Sequence, residues 1–184
     1  EHGGDYSSIV PLIPTGKGTS ASHLSWTDDK FVEGEASIIE ISGVYKKYHC
    51  PMARTVLLGK PDQKKIDTMK RTREALQAGI DVTKPGNTAD DVAQAFWKVL
   101  DKYGIEKKSR TGYSIGIGYP PDWGEHTLNI QKGDKTVLQK NVCFHMIAVM
   151  QFGEWGVESS ESIRVSENGA ENFYKFPDEL HIKG

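Results

Sequence analysis

The sequence predicts a single α+β domain, and three patterns carry that prediction. Two runs rich in β-branched residues flank a polar turn between Glu35 and Leu58. Two amphipathic helical patterns follow, separated by Lys84-Pro85-Gly86. The most continuous apolar run, Asn141 to Phe152 (NVCFHMIAVMQF), comes after them and has the length of a central buried strand. At 184 residues with 37% hydrophobic content, the chain is long enough for one substantial core, expected over residues 1–184.

From the start, Ile9, Val10, Leu12 and Ile13 are interrupted by Pro11 and Pro14, and Gly16 and Gly18 follow, which predicts a short strand and then a turn-rich loop to Ser22. After Gly34, the run Ile38-Ile39-Glu40-Ile41 reads as a strand. Tyr45 to His49 turns the chain back, Arg54 to Leu58 returns, and Gly59-Lys60-Pro61 ends the hairpin. Asp62 to Gly79 is a predicted helix with Ile66, Met69, Leu76 and Ile80 on one face, its charges forming a solvated face. Asn87 or Thr88 caps a second helix with Asp90 and Asp91 in its first turn. That helix buries Val92, Phe96, Val99, Leu100 and Tyr103, and Gly104 stops it.

In Arg110 to Glu125, Gly112, Gly116 and Gly118 alternate with Tyr113, Ile115, Ile117 and Tyr119, the pattern of a strand approached closely by another backbone or a ligand. Pro120 to Glu125 reads as a rigid loop bearing two carboxylates and an indole, and 129–139 as a polar turn. In the tail, Val157, Ser159, Glu161, Ile163 and Val165 fall on one side of a strand and Glu158, Ser160 and Ser162 on the other. Glu167-Asn168-Gly169 is a turn, and Phe173 to Phe176 is expected to close over the core.

Composition narrows the function. The net charge is −2 and Lys and Arg are scattered, so no basic stripe points to nucleic acid or a membrane surface, and small ligands fit better. No apolar run approaches the roughly 20 residues of a spanning helix. The start, EHGGDYSS, lacks the basic and apolar regions of a signal peptide, so a cytoplasmic location is expected. Cys50 and Cys143 are too few for a disulfide framework and are expected as buried free thiols. The residue that packing does not explain is Glu40, a carboxylate inside an apolar run, costly to bury unless paired or functional. His145, the one residue of the Asn141 to Phe152 run whose ordinary titration lies near neutral pH, is either a satisfied core histidine or an acid–base group.

The stretch EASIIEISGVYKKYHCPMART, together with Gly112-Tyr113-Ser114-Ile115-Gly116, the Val142 to Val149 run and Gly156 to Gly169, resembles in order the blocks of the creatinase and aminopeptidase superfamily. That resemblance implies the pita-bread fold, a curved antiparallel sheet with helices on its outer face. It implies further that an early helix pair and strand of the domain are missing here, so that either this chain is a fragment of a longer parent or a second chain completes the sheet, and that the intact protein is at least a homodimer. His23 stands where the family carries a Pro-His motif at the pocket mouth, with Ser22 in place of the proline.

Metal-dependent members hold two divalent ions with five ligands, and the matching positions here are Glu40, Pro51, Tyr113, Ile147 and Ser160. Only the first is a usual ligand, so the expectation is no catalytic metal and no cofactor. EISGVYKKYHCPMART, TGYSIGIGYPPDWGEHT and SESIRVSENGAE are similar to a creatinase-like subgroup, the ectoine hydrolases, which open a cyclic amidine.

For a cationic amidine the expected site is one of carboxylates and aromatic faces. Glu40 is assigned as nucleophile or general base, His145 or His49 as the group moving a proton to the leaving nitrogen, and Glu161 or Glu158 as partner to the substrate cation. His23, Tyr48, Tyr113, Asp122, Trp123 and Trp155 complete the expected binding set. The competing readings are a metal-dependent Xaa-Pro dipeptidase and a non-enzymatic module of the same fold.

Overall fold

The computed structural model describes residues 3–184 except Ser22, Trp26 and Asp178, so the replaced proline of the His23 motif lies outside the described residues. The hairpin forms as the sequence predicts. Strand β1 (Ala36–Tyr45) pairs along its whole length with β2 (Tyr48–Leu58). They join through Lys46 and Lys47, both at positive φ, the geometry of a two-residue turn that matches strand twist. Along β1, Ile38 and Glu40 point inward, while Ile39 and Ile41 lie on the outer face.

The segment before β1 is not a strand. Pro11 and Pro14 lack the N–H that a ladder needs, so the backbone makes only isolated bridges, Leu12 to Glu40 and Thr15 to Ser37, before a 3-10 helix at Gly16–Ser20.

Helix α1 (Gln63–Asp81) starts at Asp62, whose side chain accepts from the Lys65 N–H. Helix α2 (Ala89–Lys102) starts at Thr88, which forms a reciprocal capping box with Asp91. Asn87 instead donates its side-chain amide to the Val82 carbonyl. Both helices lie over the later strands, and Met69, Leu76, Phe96, Leu100, Met146 and Ile163 share one core.

Strands β3 (Gly112–Tyr119), β4 (Asp122–Ile130), β5 (Cys143–Gln151), β6 (Gly156–Ser166), β7 (Gly169–Asn172) and β8 (His181–Lys183) complete an eight-stranded sheet of order β1-β2-β3-β5-β6-β7. Strand β4 lies on β3, and β8 runs parallel to β2. The expected rigid loop at Pro120 to Glu125 is instead a hairpin: the chain turns at Pro120-Pro121 and β4 begins at once, because Trp123, Leu128 and Ile130 all have core positions. The glycines of β3 serve the fold itself. A Cβ on Gly118 would meet the Trp123 Cα at 2.9 Å, a backbone approach within the β3–β4 hairpin.

Four further expectations are corrected. In 129–139, Leu138 is buried and its N–H bonds the Asn87 carbonyl, tying that segment to the start of α2. Tyr103, expected in the core, is only half-buried and gives its hydroxyl to Glu74. Phe173 and Phe176 are about half exposed and do not close the core, Phe176 lying instead against the Arg54 guanidinium. Cys50 and Cys143 are half-buried free thiols.

Strands β2 and β6, which are not neighbours in the sheet order, meet at a seam that is closed by side chains. Ser160 Oγ accepts from the Ala53 N–H (2.7 Å), Thr55 Oγ1 accepts from the Glu158 N–H (2.7 Å) and donates to the Glu158 carbonyl (2.8 Å). Ser162 Oγ donates to the Pro51 carbonyl (2.6 Å), and Arg54 Nη1 donates to the Ser160 carbonyl (2.6 Å). These bonds satisfy buried backbone groups that no ladder reaches.

Candidate active site

The seam brings Glu40 of β1 and Glu158 of β6 to one cavity of about 170 Å³, which His23, Arg110, Tyr113 and Ile147 also line. Glu40 is opposite Ala53 in the hairpin, and Ala53 is held to Ser160, two residues from Glu158. Both carboxyl groups are buried, at 7% and 8% exposure, and among the described residues neither accepts a hydrogen bond nor pairs with a cation.

Burial disfavours their charged forms. It lifts Glu40 to about 7. Glu158 is pushed well above the usual carboxylate range, first by burial and then by the charge of Glu40, with Lys107 opposing. Both acids are thus held toward their neutral forms, and the charge of Glu40, when present, pushes Glu158 further in that direction.

Behind the cavity wall runs a buried relay. Tyr113 and His145 face each other across β3 and β5, and the Tyr113 hydroxyl lies 3.0 Å from His145 Nδ1 while also accepting from Trp123 Nε1 at 2.6 Å. His145 Nε2 lies 2.6 Å from Ser160 Oγ. Counting lone pairs fixes the direction. Ser160 Oγ already accepts from Ala53, so its proton goes to His145 Nε2, and His145 Nδ1–H donates to Tyr113. The reverse direction would strand the serine proton in the core. Tyr113, accepting twice in this arrangement, has its own O–H left to donate, and the residue lines the cavity. Burial lowers His145 to about 3 and raises Tyr113, so both stay neutral.

The remaining expected residues lie elsewhere. Glu161, on the opposite face of β6 from Glu158, forms a buried ion pair with Arg54 at 2.5 Å and accepts from Asn172. His49 is buried, accepts from the Ser8 N–H at Nε2 and bonds the Lys47 carbonyl through Nδ1, pinning the N-terminal segment to the hairpin turn. Tyr48 is exposed beside a separate groove with Cys50, Cys143 and Glu125. Asp122 pairs with His126 at the surface, and Trp155 stacks on Phe152 under Lys64 and Lys65. Of the expected set, then, Glu40, Glu158, Tyr113 and His23 share the cavity, and His145 and Trp123 stand directly behind it.

Sequence reasoning missed Arg110 and Lys107. Arg110 lines the cavity from the loop before β3, and Lys107, buried and lowered to about 8 by that burial, donates to the Ser109 and Arg110 carbonyls. Nothing in a Lys-Lys-Ser-Arg loop distinguishes such residues from a solvated charge cluster.

The five positions that match the family's metal ligands do not form a donor set. Ile147 has no donor atom, the side chain of Pro51 has none, and the Tyr113 and Ser160 oxygens are committed to Trp123, His145 and Ala53. Among the described residues no three His, Cys, Asp or Glu side chains group as metal ligands. The residues present do not fit a dinuclear site.

Comparison with known proteins places this geometry. The sequence pattern of metallopeptidase family M24 matches residues 1–167. The chain is 45% identical over 182 residues to an ectoine hydrolase from Halomonas elongata, covering 98% of this chain and 46% of that protein. It is 23% identical over 183 residues to an Xaa-Pro dipeptidase from Pyrococcus furiosus, covering 97% of this chain and 51% of that one. Among solved structures, dipeptidase PepE from Mycobacterium ulcerans superposes with a TM-score of 0.87 at 26% identity, over 97% of this chain and 48% of that chain. The chain thus spans about half the length of the curated relatives it matches. No helix among the described residues is long and apolar enough to cross a membrane. A sheet curled around paired carboxyls on the pita-bread frame, matched by the family pattern along most of its length, makes this chain a member of metallopeptidase family M24.

Proposed function

We propose that this chain carries the catalytic site of a metal-independent hydrolase that opens a small cyclic amidine, with ectoine as the substrate. The observation that supports the reading is the pair of buried carboxyls, Glu40 and Glu158, facing one small cavity with no partner among the described residues. Two acids whose environments separate their titrations are suited to acid–base work at neutral pH. The identity to the Halomonas hydrolase supports the choice of substrate.

In this reading ionised Glu40 either takes a proton from the water that adds to the amidine carbon, or adds there itself to give a covalent intermediate that water then hydrolyses, freeing the Glu40 carboxylate. Protonated Glu158 gives its proton to the ring nitrogen as the C–N bond breaks. Tyr113, oriented by His145 and Ser160, donates to the substrate. His145 acts through Tyr113 and takes no part in proton transfer.

The peptidase relatives favour a second reading, cleavage of an Xaa-Pro dipeptide with added metal. One assay separates the two. The full-length protein, treated with chelator, is given ectoine, and N-acetyl-diaminobutyrate is measured by chromatography; a Xaa-Pro dipeptide with and without manganese runs in parallel. The expected result is ring opening that survives the chelator and falls by about 100-fold or more in Glu40→Gln. Cleavage of the dipeptide alone, only with manganese, would replace this reading.

A further inference from the structure

The cavity has an end that the two carboxyls do not account for. Arg110 is the one lining residue with a permanent positive charge, and no carboxylate pairs with it among the described residues. Its position is built. The guanidinium lies over the Tyr113 ring at 4.5 Å, and Nη1 donates to Asn129 Oδ1 at 2.5 Å. Its own carbonyl is held by buried Lys107 Nζ at 2.9 Å. A planar guanidinium offers five N–H donors in a fork that matches a carboxylate, and the bond to Asn129 uses one of them.

We infer that Arg110 is the anchor for a carboxylate on the substrate, so that the site selects a small zwitterion over a simple cation. This rests on reading the Glu40–Glu158 cavity as the catalytic site. Glu40 and Glu158 take the cationic, reacting end of the substrate, and Arg110 takes the acid at the other end. A bare amidinium or guanidinium ion would leave Arg110 without a counter-charge. A volume of about 170 Å³, below the ~300–1,000 Å³ of pockets for drug-sized ligands, suits a molecule carrying both charges on one small ring.

The test compares ectoine with 2-methyl-1,4,5,6-tetrahydropyrimidine, the same ring without its carboxyl group, using full-length wild-type protein, Arg110→Gln and Arg110→Lys. Wild type is expected to prefer ectoine. Arg110→Gln should lower kcat/KM for ectoine by roughly 10- to 100-fold, mostly through KM, while leaving the bare ring within about twofold. Arg110→Lys should recover part of the loss, since it restores charge without the fork. Equal losses on both compounds, or no loss on ectoine, would overturn the inference.

If wild type opens neither compound, the ring-opening reading fails and Arg110 is judged by calorimetry with Gly-Pro and its C-terminal amide. Tighter binding of the free acid that disappears in Arg110→Gln upholds the anchor. Indifference to the acid rejects it.

Discussion

Glu158 and Glu161 lie three residues apart on β6, both buried, in opposite electrostatic situations. Glu161 meets Arg54 at 2.5 Å, and that guanidinium is itself bonded to the Ala53 and Ser160 carbonyls. Glu158 meets another carboxyl, Glu40, across a cavity, and no cation neutralises it by contact. One strand thus places a fully compensated acid on one face and an uncompensated one on the other. A carboxylate met by a guanidinium has its charge answered within the fold; a buried acid with no such partner is costly to keep, which marks it as a candidate for chemistry.

The largest effect that would test this contrast is on stability. Glu161→Ala strands Arg54 in the interior, and the loss should be about 3–5 kcal/mol in urea denaturation. If stability held and only turnover fell, Glu161 would belong with the chemistry.

Glu40→Gln should do the reverse, losing turnover while folding normally, and its stability should carry a pH signature. Glu40 ionises near 4.5 when unfolded and near 7 when folded. Its contribution to stability is therefore full below 4.5 and is lost as pH rises to about 7. The Gln variant should lack that fall, so its urea midpoint should drop less between pH 4.5 and 7.5 than that of wild type. Parallel midpoints for the two proteins would show that Glu40 is not held in this state.

A finer test uses the rate. If ionised Glu40 is the active form, kcat/KM should rise through about pH 7. If Glu158 is the proton donor, Glu158→Gln should lower kcat but leave that inflection near 7, because an amide mimics the neutral acid. An inflection displaced by more than about one unit would mean the two share the proton in the other order.

The smallest effect concerns the relay. Ser160→Ala removes the acceptor of the Ala53 N–H and the donor to His145, at about 1–3 kcal/mol of stability. Turnover should fall less than in Glu40→Gln. A loss of turnover with unchanged stability would place Ser160 in contact with substrate.

Much of the fold was legible because it depends on local pattern. The Glu40 hairpin, the capped helices and the Asn141 to Phe152 strand follow from periodicity and end signals, and Glu40 stood out through the cost of its burial. The division of labour on β6 was not legible. Alternation separates Glu158 from Glu161, but which face meets the cavity is decided by how β2 crosses β6, a contact between residues about a hundred positions apart. Trp123 was read on a loop because the Pro-Pro-Asp signal outweighed the short apolar alternation that follows it. Arg110 gave no signal, because an exposed arginine in a charged loop becomes informative only when the cavity beside it is seen.

The seam between β2 and β6 bears on how such a site can evolve. Strands joined by a ladder can be repositioned only by whole residues, steps of about 3.3 Å that also exchange the faces of every side chain. Here the separation of Glu40 from Glu158 is set by the reach of Ser160 and Thr55 across the gap. Single exchanges among serine, threonine and alanine at those positions can widen or narrow the space between the two acids by fractions of an ångström. Substrate size then becomes adjustable through small mutational steps that leave strand register untouched.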